Sequence, residues 1–277
     1  MTTNLNPHIR YSGIQPQYFP RLHYFARIIN ADVFVVRDDA QYVRKHKYPN
    51  GKNDKSYQAH TPIKQAFGVQ LLSIPIQHNQ ERFLPISKTK LHYDLSWVKD
   101  HLFALKIAYG KSKNFKIVFP KIEELLQITY DTLSDLNNAT IYWGILTLLE
   151  KKISSNTLSL KYVTSVLKKQ NVFRLKEVKR GSESQTLKKE KNLTANEKIL
   201  ALLQEAKANE DYCGGTGVAA YIDHEIFNKE GITITIQDWK CTEYPQLFIK
   251  QQGFIPNLSI LDLLFNVSPS EARRILT

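Results

Sequence analysis

Apolar residues near the start of the chain follow two different spacings. A short strand candidate at Tyr11–Ile14 comes first, and a helical spacing then links Leu22, Phe25, Ala26 and Ile29. A continuous apolar run follows at Val33–Val36. Such a run is typical of a strand buried on both faces of a parallel sheet. Because the helical crossover is long enough to make the two strands parallel, the pattern predicts a β-α-β unit.

Polar turns follow both of these predicted strands. The two turns are Gln15-Pro16-Gln17-Tyr18 and Arg37-Asp38-Asp39. The carboxyl ends of neighbouring parallel strands meet at one edge of the sheet, and open α/β sheets bind their ligands at that edge. We therefore expect the functional site there.

The middle of the chain alternates between strand candidates and helical periods. Strands are predicted at residues 69–76, 84–86 and 153–160. Between residues 93 and 152, apolar positions recur at helical spacing and predict three amphipathic helices. We expect these helices to form a helical cover, at residues 92–153, over the sheet.

A second β-α-β unit is predicted in the last third of the chain. Tyr212 and Cys213 end a short strand, a glycine-rich turn follows at residues 214–217, and a helix leads to a strand at residues 232–236. We therefore predict an α/β fold whose Rossmann-like, mostly parallel sheet is flanked by helices. The chain is read as one domain over residues 1–277.

Three residue pairs have the spacing of helix capping boxes, in which a hydroxyl and a carboxylate satisfy each other's free backbone donors. They are Thr194 with Glu197, Ser259 with Asp262, and Ser268 with Glu271. The last two predict that the chain ends in two short helices.

Positive charge is concentrated in one polar segment. The net charge is +12, and residues 164–198 hold ten Lys or Arg against four Glu, which is half of that charge. The segment lacks a sustained apolar period, so residues 164–194 are predicted to be a basic, flexible insertion. A basic chain also suits phosphate-bearing partners.

Cysteine use and hydropathy indicate a cytoplasmic protein with free thiols. The two cysteines, Cys213 and Cys241, are too few for a disulfide framework or a zinc site. The first ten residues lack the apolar core of a signal peptide, and no apolar run is long enough to span a bilayer.

Adjacent carboxylates at a sheet edge can hold a metal ion or act as an acid and a base. Asp38 and Asp39 are the catalytic candidates, with Mg²⁺ as the candidate cofactor. The alternative is that one carboxylate caps a turn while the other pairs with Arg37, Arg44 or Lys45. That alternative is favoured for Asp39, and the functional role for Asp38.

Two further segments are candidate anion sites. Glycines at a helix N-terminus let backbone N–H groups approach an anion, although a tight structural turn is the alternative reading of residues 214–217. The loop after Asp39 mixes tyrosine with positive charge, which suits a nucleotide or a sugar phosphate as well as an exposed loop. His23 lies in the first predicted helix, where nucleotidyl transferases carry a histidine pair, but its partner is missing.

Several short motifs recur in one order over nearly the whole chain. They lie at residues 14–20, 31–35, 38–42, 72–76, 212–221, 244–246 and 256–266. In this order they resemble the WbqC-like family, whose members are encoded among bacterial genes for O-antigen and other surface polysaccharides. The chain departs from the usual family pattern at Gln17, Arg21 and His23.

The resemblance implies a transferase of surface-polysaccharide biosynthesis that acts on an activated sugar or amino-sugar. The expected partner is a sugar nucleotide or another phosphorylated small molecule. The expected substrate-binding residues are Gln15, Gln17, Tyr18, His23, Tyr42, Arg44, Lys45, Asn50, Gly214, Gly215, Thr216, Gly217 and Tyr221.

A non-enzymatic binder of nucleotide or RNA is the alternative. The net charge and the mixture of tyrosine, lysine and arginine favour it, because unpaired RNA bases stack on aromatic rings. The concentration of charge in one segment argues against it.

Overall fold

A central parallel sheet and two small hairpins account for all strands that the structure describes. The computed structural model describes residues 7–47, 53–78, 80–81, 83–92, 96–215, 218–219 and 222–277. The strands in this part of the chain are β1 (Arg10–Ile14), β2 (Val33–Val36), β3 (Lys45–Lys47), β4 (Asn53–Lys55), β5 (His60–Gln65), β6 (Gly68–Ser73), β7 (Glu177–Arg180), β8 (Glu210–Cys213) and β9 (Thr233–Ile236).

Helices cover both faces of the central sheet. They are α1 (Leu22–Ile29), α2 (Ser96–Tyr109), α3 (Phe115–Leu126), α4 (Leu133–Leu148), α5 (Leu160–Leu167), α6 (Gln185–Lys189), α7 (Ala195–Glu205), α8 (His224–Lys229), α9 (Ile249–Gln252), α10 (Ile260–Asn266) and α11 (Pro269–Leu276). Short 3-10 helices lie at Ile86–Lys88, Ser155–Thr157 and Gly181–Glu183.

The five strands of the central sheet are all parallel and lie in the order β7-β2-β1-β8-β9. If these five strands are numbered 1 to 5 in chain order, their order in the sheet is 3-2-1-4-5. The strand order of a doubly wound fold reverses in the same way, and here the reversal falls between β1 and β8. The predicted Rossmann-like α/β fold is confirmed.

The first β-α-β unit forms where the sequence predicts it. Tyr11 pairs in register with Val33, and Ile14 with Val36. The side chains of β2 alternate between two cores: Phe34 packs into the larger one, whereas Val35 packs into a smaller one on the opposite face. This double burial explains the continuous apolar run of β2.

The three helices predicted between residues 93 and 152 are present as α2, α3 and α4. Helix α4 differs from the prediction because fifteen of its sixteen residues are buried. It is therefore a central helix that neighbouring elements surround, and only α2 and α3 keep an exposed side. Gly144 of α4 lets Phe25 of α1 approach closely, since a Cβ there would lie 2.7 Å from Cε1 of Phe25.

Two predicted strands are wrong. Residues 84–86 form only an isolated bridge, between Pro85 and Gln41, before a 3-10 helix begins. Residues 153–160 hold another 3-10 helix and the start of α5. The hydroxyls of this segment cap helices, as when Ser159 accepts a hydrogen bond from the backbone N–H of Tyr162, and this use competes with strand formation.

The predicted capping boxes have three different outcomes. Thr194 and Glu197 form the reciprocal pair that opens α7, and Ser268 caps α11 through the N–H of Glu271. The box at Ser259 is wrong, because that hydroxyl makes no cap hydrogen bond. Asp262 instead accepts hydrogen bonds from the hydroxyls of Tyr109 at 3.1 Å and Tyr244 at 2.7 Å.

The basic segment at residues 164–194 supplies part of the central sheet. It contains β7, which pairs with β2 along its whole length, and helix α6. The reading of this segment as an insertion outside the fold is corrected for residues 177–180. Only Val178 in this strand is buried, because an edge strand needs little apolar surface, and the segment therefore lacked an apolar signal.

Across the described ranges, no helix is both long enough and apolar enough to cross a membrane.

Replacing Gly144 by alanine tests the packing of α4 against α1. Alanine favours a helix interior by about 1 kcal/mol over glycine. The close approach of Phe25 opposes this gain, and overpacking a core costs about 1–3 kcal/mol. We therefore expect Gly144→Ala to lower the free energy of unfolding in urea titrations, whereas Glu124→Ala on the exposed side of α3 should change it little. A Gly144→Ala chain at least as stable as the parent would contradict this packing.

Candidate functional site

Asp38 lies directly after β2 and is fully buried. Its Oδ1 accepts a hydrogen bond from the backbone N–H of Ser182 at 2.8 Å. Its Oδ2 accepts from Nε of Arg180 at 2.8 Å, and from the hydroxyls of Ser134 and Ser182, each at 2.9 Å. The carboxylate therefore ties the ends of β2 and β7 to α4, and four donors compensate its burial.

Asp39 pairs with Arg37, the alternative that the sequence favoured for it. Nε of Arg37 lies 2.9 Å from Oδ1 of Asp39, and Nη2 lies 2.9 Å from Oδ2. The geometry is a two-pronged arginine–carboxylate contact, which fixes both side chains. The two adjacent aspartates thus have separate partners.

The turn after β1 is held by hydrogen bonds within the chain. Oε1 of Gln15 accepts from the hydroxyl of Tyr57 and from Nε2 of Gln58, both at 2.7 Å. Gln17 is buried. Tyr18 is fully buried, and its hydroxyl lies 3.1 Å from Nδ1 of His101. Burial raises the pKa of Tyr18, so the hydroxyl stays protonated.

His23 sits at the start of α1 and contacts Asn257. Oδ1 of Asn257 accepts from the backbone N–H of His23 and lies 3.0 Å from its Nδ1. Burial lowers the pKa of His23 to about 4. The ring is therefore neutral near pH 7 and supplies no positive charge for a phosphate.

The tyrosine and arginine loop is partly described. Tyr42 is half-buried against the larger core, whereas Arg44 and Lys45 are exposed. Asn50 lies outside the described residues. Arg44 and Lys45 are thus accessible to a ligand, and Tyr42 closes the core behind them.

Gly214 follows β8 and therefore lies at the reversal of strand order, opposite the end of β1. Gly215 comes next, and Thr216, Gly217 and Tyr221 fall outside the described residues. The two β-α-β units thus bring the Gln15 turn and the Gly214 turn to neighbouring strand ends.

Arg27 of α1 lies against Gly214. A Cβ on Gly214 would lie 2.7 Å from Nη2 of Arg27, so the guanidinium lies directly against this glycine and would have to shift to accommodate a side chain there. Nε of Arg27 donates to Oε1 of Gln237 at 2.8 Å. Neither terminal nitrogen donates a hydrogen bond to a described residue. Burial lowers the pKa of Arg27, yet a guanidinium remains a cation at neutral pH.

Asp211 is a buried carboxyl in β8, beside Tyr11 of β1. It is 3% exposed, and its oxygens accept no hydrogen bond from the part of the chain that the structure describes. Burial raises its pKa to about 7, although the positive charges of Arg37 and Arg27 oppose the shift. A buried carboxyl that titrates near neutral pH is a candidate acid or base, and Asp211 lies in β8, one of the two strands at the reversal of strand order.

The sequence reading missed both Arg27 and Asp211. Arg27 looks like an ordinary polar position on an amphipathic helix. Asp211 did carry a signal, because a strand inside a parallel sheet is usually buried on both faces and burying a carboxyl there costs free energy.

The described residues contain no group of three His, Cys, Asp or Glu side chains that could hold a metal ion. Both cysteines are free, as predicted. Burial raises the pKa of Cys213 to about 12, so its thiol is not an activated nucleophile.

A cavity of about 680 Å³ opens elsewhere, along the edge strand β7. Its walls include Leu160 and Lys161 of α5, Lys179 and Arg180 of β7, and Glu205 of α7. This groove lies two strands away from the reversal between β1 and β8. We favour the reversal between β1 and β8 as the ligand site, because ligands of open α/β sheets bind where the strand order reverses and Arg27 lies there. The groove lies instead beside an edge strand.

The stability of Asp211→Asn relative to the parent chain should increase as the pH rises. The pKa of Asp211 is raised from 3.8 to about 7, so the folded chain holds an extra proton between those values and loses stability as the pH rises through them. Asparagine removes this loss. We expect Asp211→Asn to match the parent near pH 4 and to be more stable by about 4 kcal/mol at pH 8, in urea titrations. Asp100→Asn, at an exposed position of α2 that forms no ion pair with a described residue, should change stability little at either pH. A difference that stayed constant across this pH range for Asp211→Asn would contradict the assignment.

Comparison with known proteins supports the family resemblance that the order of the motifs indicated. The model of the WbqC-like protein family matches residues 15–274. A relative described as "Uncharacterized protein Rv1507c", from Mycobacterium tuberculosis (strain ATCC 25618 / H37Rv), is 26% identical over 255 residues, which is 92% of each chain. No solved structure matches. The chain belongs to the WbqC-like protein family.

Proposed function

We propose that this chain is a transferase of surface-polysaccharide biosynthesis that binds the phosphate of an activated sugar or amino-sugar between β1 and β8. The observation that carries the proposal is Arg27, whose terminal nitrogens lie against Gly214 at the reversal of strand order and donate to no described residue. The polysaccharide context comes from the family resemblance.

The chemistry of Arg27 favours a phosphate or a carboxylate. A partly buried cation is costly unless an anion accompanies it, so an anionic ligand would gain more at Arg27 than at an exposed lysine. The planar guanidinium presents two parallel donors, which match two oxygens of a phosphate. Backbone N–H groups of the glycine-rich turn would complete the anion site, as at other helix N-termini.

Asp211 is the carboxyl that we assign to proton transfer. Its pKa of about 7 lets it give and take a proton near neutral pH. Asp38 is proposed as a positioning residue instead, because its oxygens already accept hydrogen bonds from Arg180, Ser134 and Ser182. Mg²⁺ remains a candidate partner of the phosphate rather than of a carboxylate cluster.

Exposed Arg44 and Lys45 favour one second candidate, a non-enzymatic binder of nucleotide or RNA. The two functions differ in salt dependence and in turnover. RNA affinity should fall steeply with salt because binding releases counterions, whereas a buried phosphate contact is less sensitive. Deleting the basic segment would not separate the two functions, since β7 lies within it.

Arg27→Gln should abolish selective binding of a sugar nucleotide. We would screen the purified chain by thermal shift against nucleotides, sugar nucleotides and short RNA, with and without Mg²⁺. A ligand present at 100 times its Kd stabilises a protein by about 2.7 kcal/mol, which is a shift of several degrees for a chain of this size. We expect one class of sugar nucleotide to give this shift in the parent and none in Arg27→Gln.

Arg273→Gln is the matched control, because Arg273 is a partly buried arginine of α11 that contacts Leu148 and Glu150 instead. It should keep the ligand-induced shift. Arg44→Ala should weaken the shift if Arg44 contacts the same ligand. Equal ligand-induced shifts in Arg27→Gln and the parent would exclude a phosphate site between β1 and β8. Stabilisation by RNA alone, fading with salt, would favour the non-enzymatic binder.

A further inference from the structure

Large apolar side chains are exposed on the outer side of the α2–α3 helix pair. The exposed fractions are 67% for Phe103, 59% for Ile107 and 62% for Ile117. Phe103 and Ile107 are four residues apart and so lie on one side of α2. Ile107 and Ile117 are each within one helical turn of the connection between α2 and α3. Ile107 and Ile117 thus lie towards one end of the helix pair, and Phe103 lies about one turn further along α2.

The hairpin of β5 and β6 extends this apolar surface. Phe67, in its turn, is 75% exposed. Nε2 of Gln65 donates to the carbonyl of Ala104 at 3.3 Å, which holds the end of the hairpin against α2 beside Phe103. Phe67 therefore lies near the exposed side chains of α2.

Positive charge outweighs negative charge around the same surface, where exposed Asp100, one turn before Phe103, is an acidic neighbour on α2. Between His101 and Ile122 the chain has five lysines and no aspartate or glutamate. Four of them, Lys106, Lys111, Lys113 and Lys116, are exposed. None of the four forms an ion pair with a described residue. Their charge is therefore available to a partner.

We propose that this surface, which we call the basic apolar face, docks on an anionic membrane. It consists of Phe67, Phe103, Ile107, Ile117, Lys106, Lys111, Lys113 and Lys116. Exposed apolar side chains that enter the acyl boundary, flanked by lysines that meet anionic headgroups, are the features of interfacial binding.

Charge and chemistry separate this partner from two others. In a symmetric dimer through this face, the four lysines of one copy would meet those of the other, and like charges across an interface oppose association. A nucleic acid would satisfy the lysines, but the phosphate backbone offers nothing to the aliphatic Ile107 and Ile117. Of these three partners, an anionic lipid surface is the one that matches both the charge and the apolar side chains. The proposal does not depend on the function proposed above.

Vesicle sedimentation tests the docking. The full chain would be mixed with vesicles of phosphatidylcholine containing one third phosphatidylglycerol, and with vesicles of phosphatidylcholine alone. We expect binding to the anionic vesicles only, weakening as salt is added. Replacing Lys106, Lys111, Lys113 and Lys116 by glutamine should reduce the partition coefficient about tenfold or more. The triple variant Phe103→Gln, Ile107→Gln, Ile117→Gln should do the same.

A matched control removes the same charge elsewhere. Glutamine at the exposed Lys161, Lys168, Lys169 and Lys188 lowers the net charge equally but leaves the basic apolar face intact. This control should bind anionic vesicles within about twofold of the parent, because the surface potential of the lipid falls off over about one Debye length. Melting curves of all variants check that each is folded. Phe103→Trp gives a readout without loss of contacts, since its emission should shift to shorter wavelength when anionic vesicles are added.

The proposal is supported if the lysine variant and the apolar variant of the basic apolar face both lose vesicle binding, the control keeps it, and the emission of Phe103→Trp shifts. Any one of four results would overturn it: no binding of the parent to anionic vesicles, equal loss in the control, an unshifted emission, or a face that mediates self-association or RNA binding but no vesicle binding.

Discussion

The buried carboxylate of Asp38 is the contact on which the carboxyl edge of the sheet depends. It follows β2 without exposure to solvent, so its charge must be compensated within the chain. The compensation comes from Arg180 of β7, from Ser182 just after this strand and from Ser134 of α4. One carboxylate thereby fixes the position of the edge strand and of the central helix. Adjacent Asp39 takes Arg37 as its own partner, and the turn after β2 is thus held on both sides.

Two charged residues with few hydrogen-bond partners, Arg27 and Asp211, lie near the reversal of strand order. Arg27 has only its Nε bonded within the described chain, and Asp211 carries a pKa of about 7 because burial disfavours its charge. Stability alone would favour apolar residues at both positions. Charges kept at such a cost occur at sites where a ligand or a proton completes them, and the strand order independently places a ligand at the same point.

The sequence predicted the fold where apolar spacing was strong. The unit of β1, α1 and β2 was located almost to the residue, because a run such as Val33–Val36 has one reading in a buried parallel strand. Strand β7 was missed because an edge strand of sequence EVKR has a single buried side chain. The hydroxyl-rich segment at residues 153–160 was misread because serine serves caps as readily as strands. The sequence predicted a site at the carboxyl edge of the sheet, and that position stays a prediction. The partners of Asp38 and Arg27 come from distant parts of the chain, which spacing cannot reveal.

A crystal structure of the chain with a sugar nucleotide would test the central claim most directly. The account predicts density for a phosphate between the ends of β1 and β8, with its oxygens about 2.7–2.9 Å from the terminal nitrogens of Arg27. A ligand held in the groove along β7, with Arg27 free of it, would contradict the account.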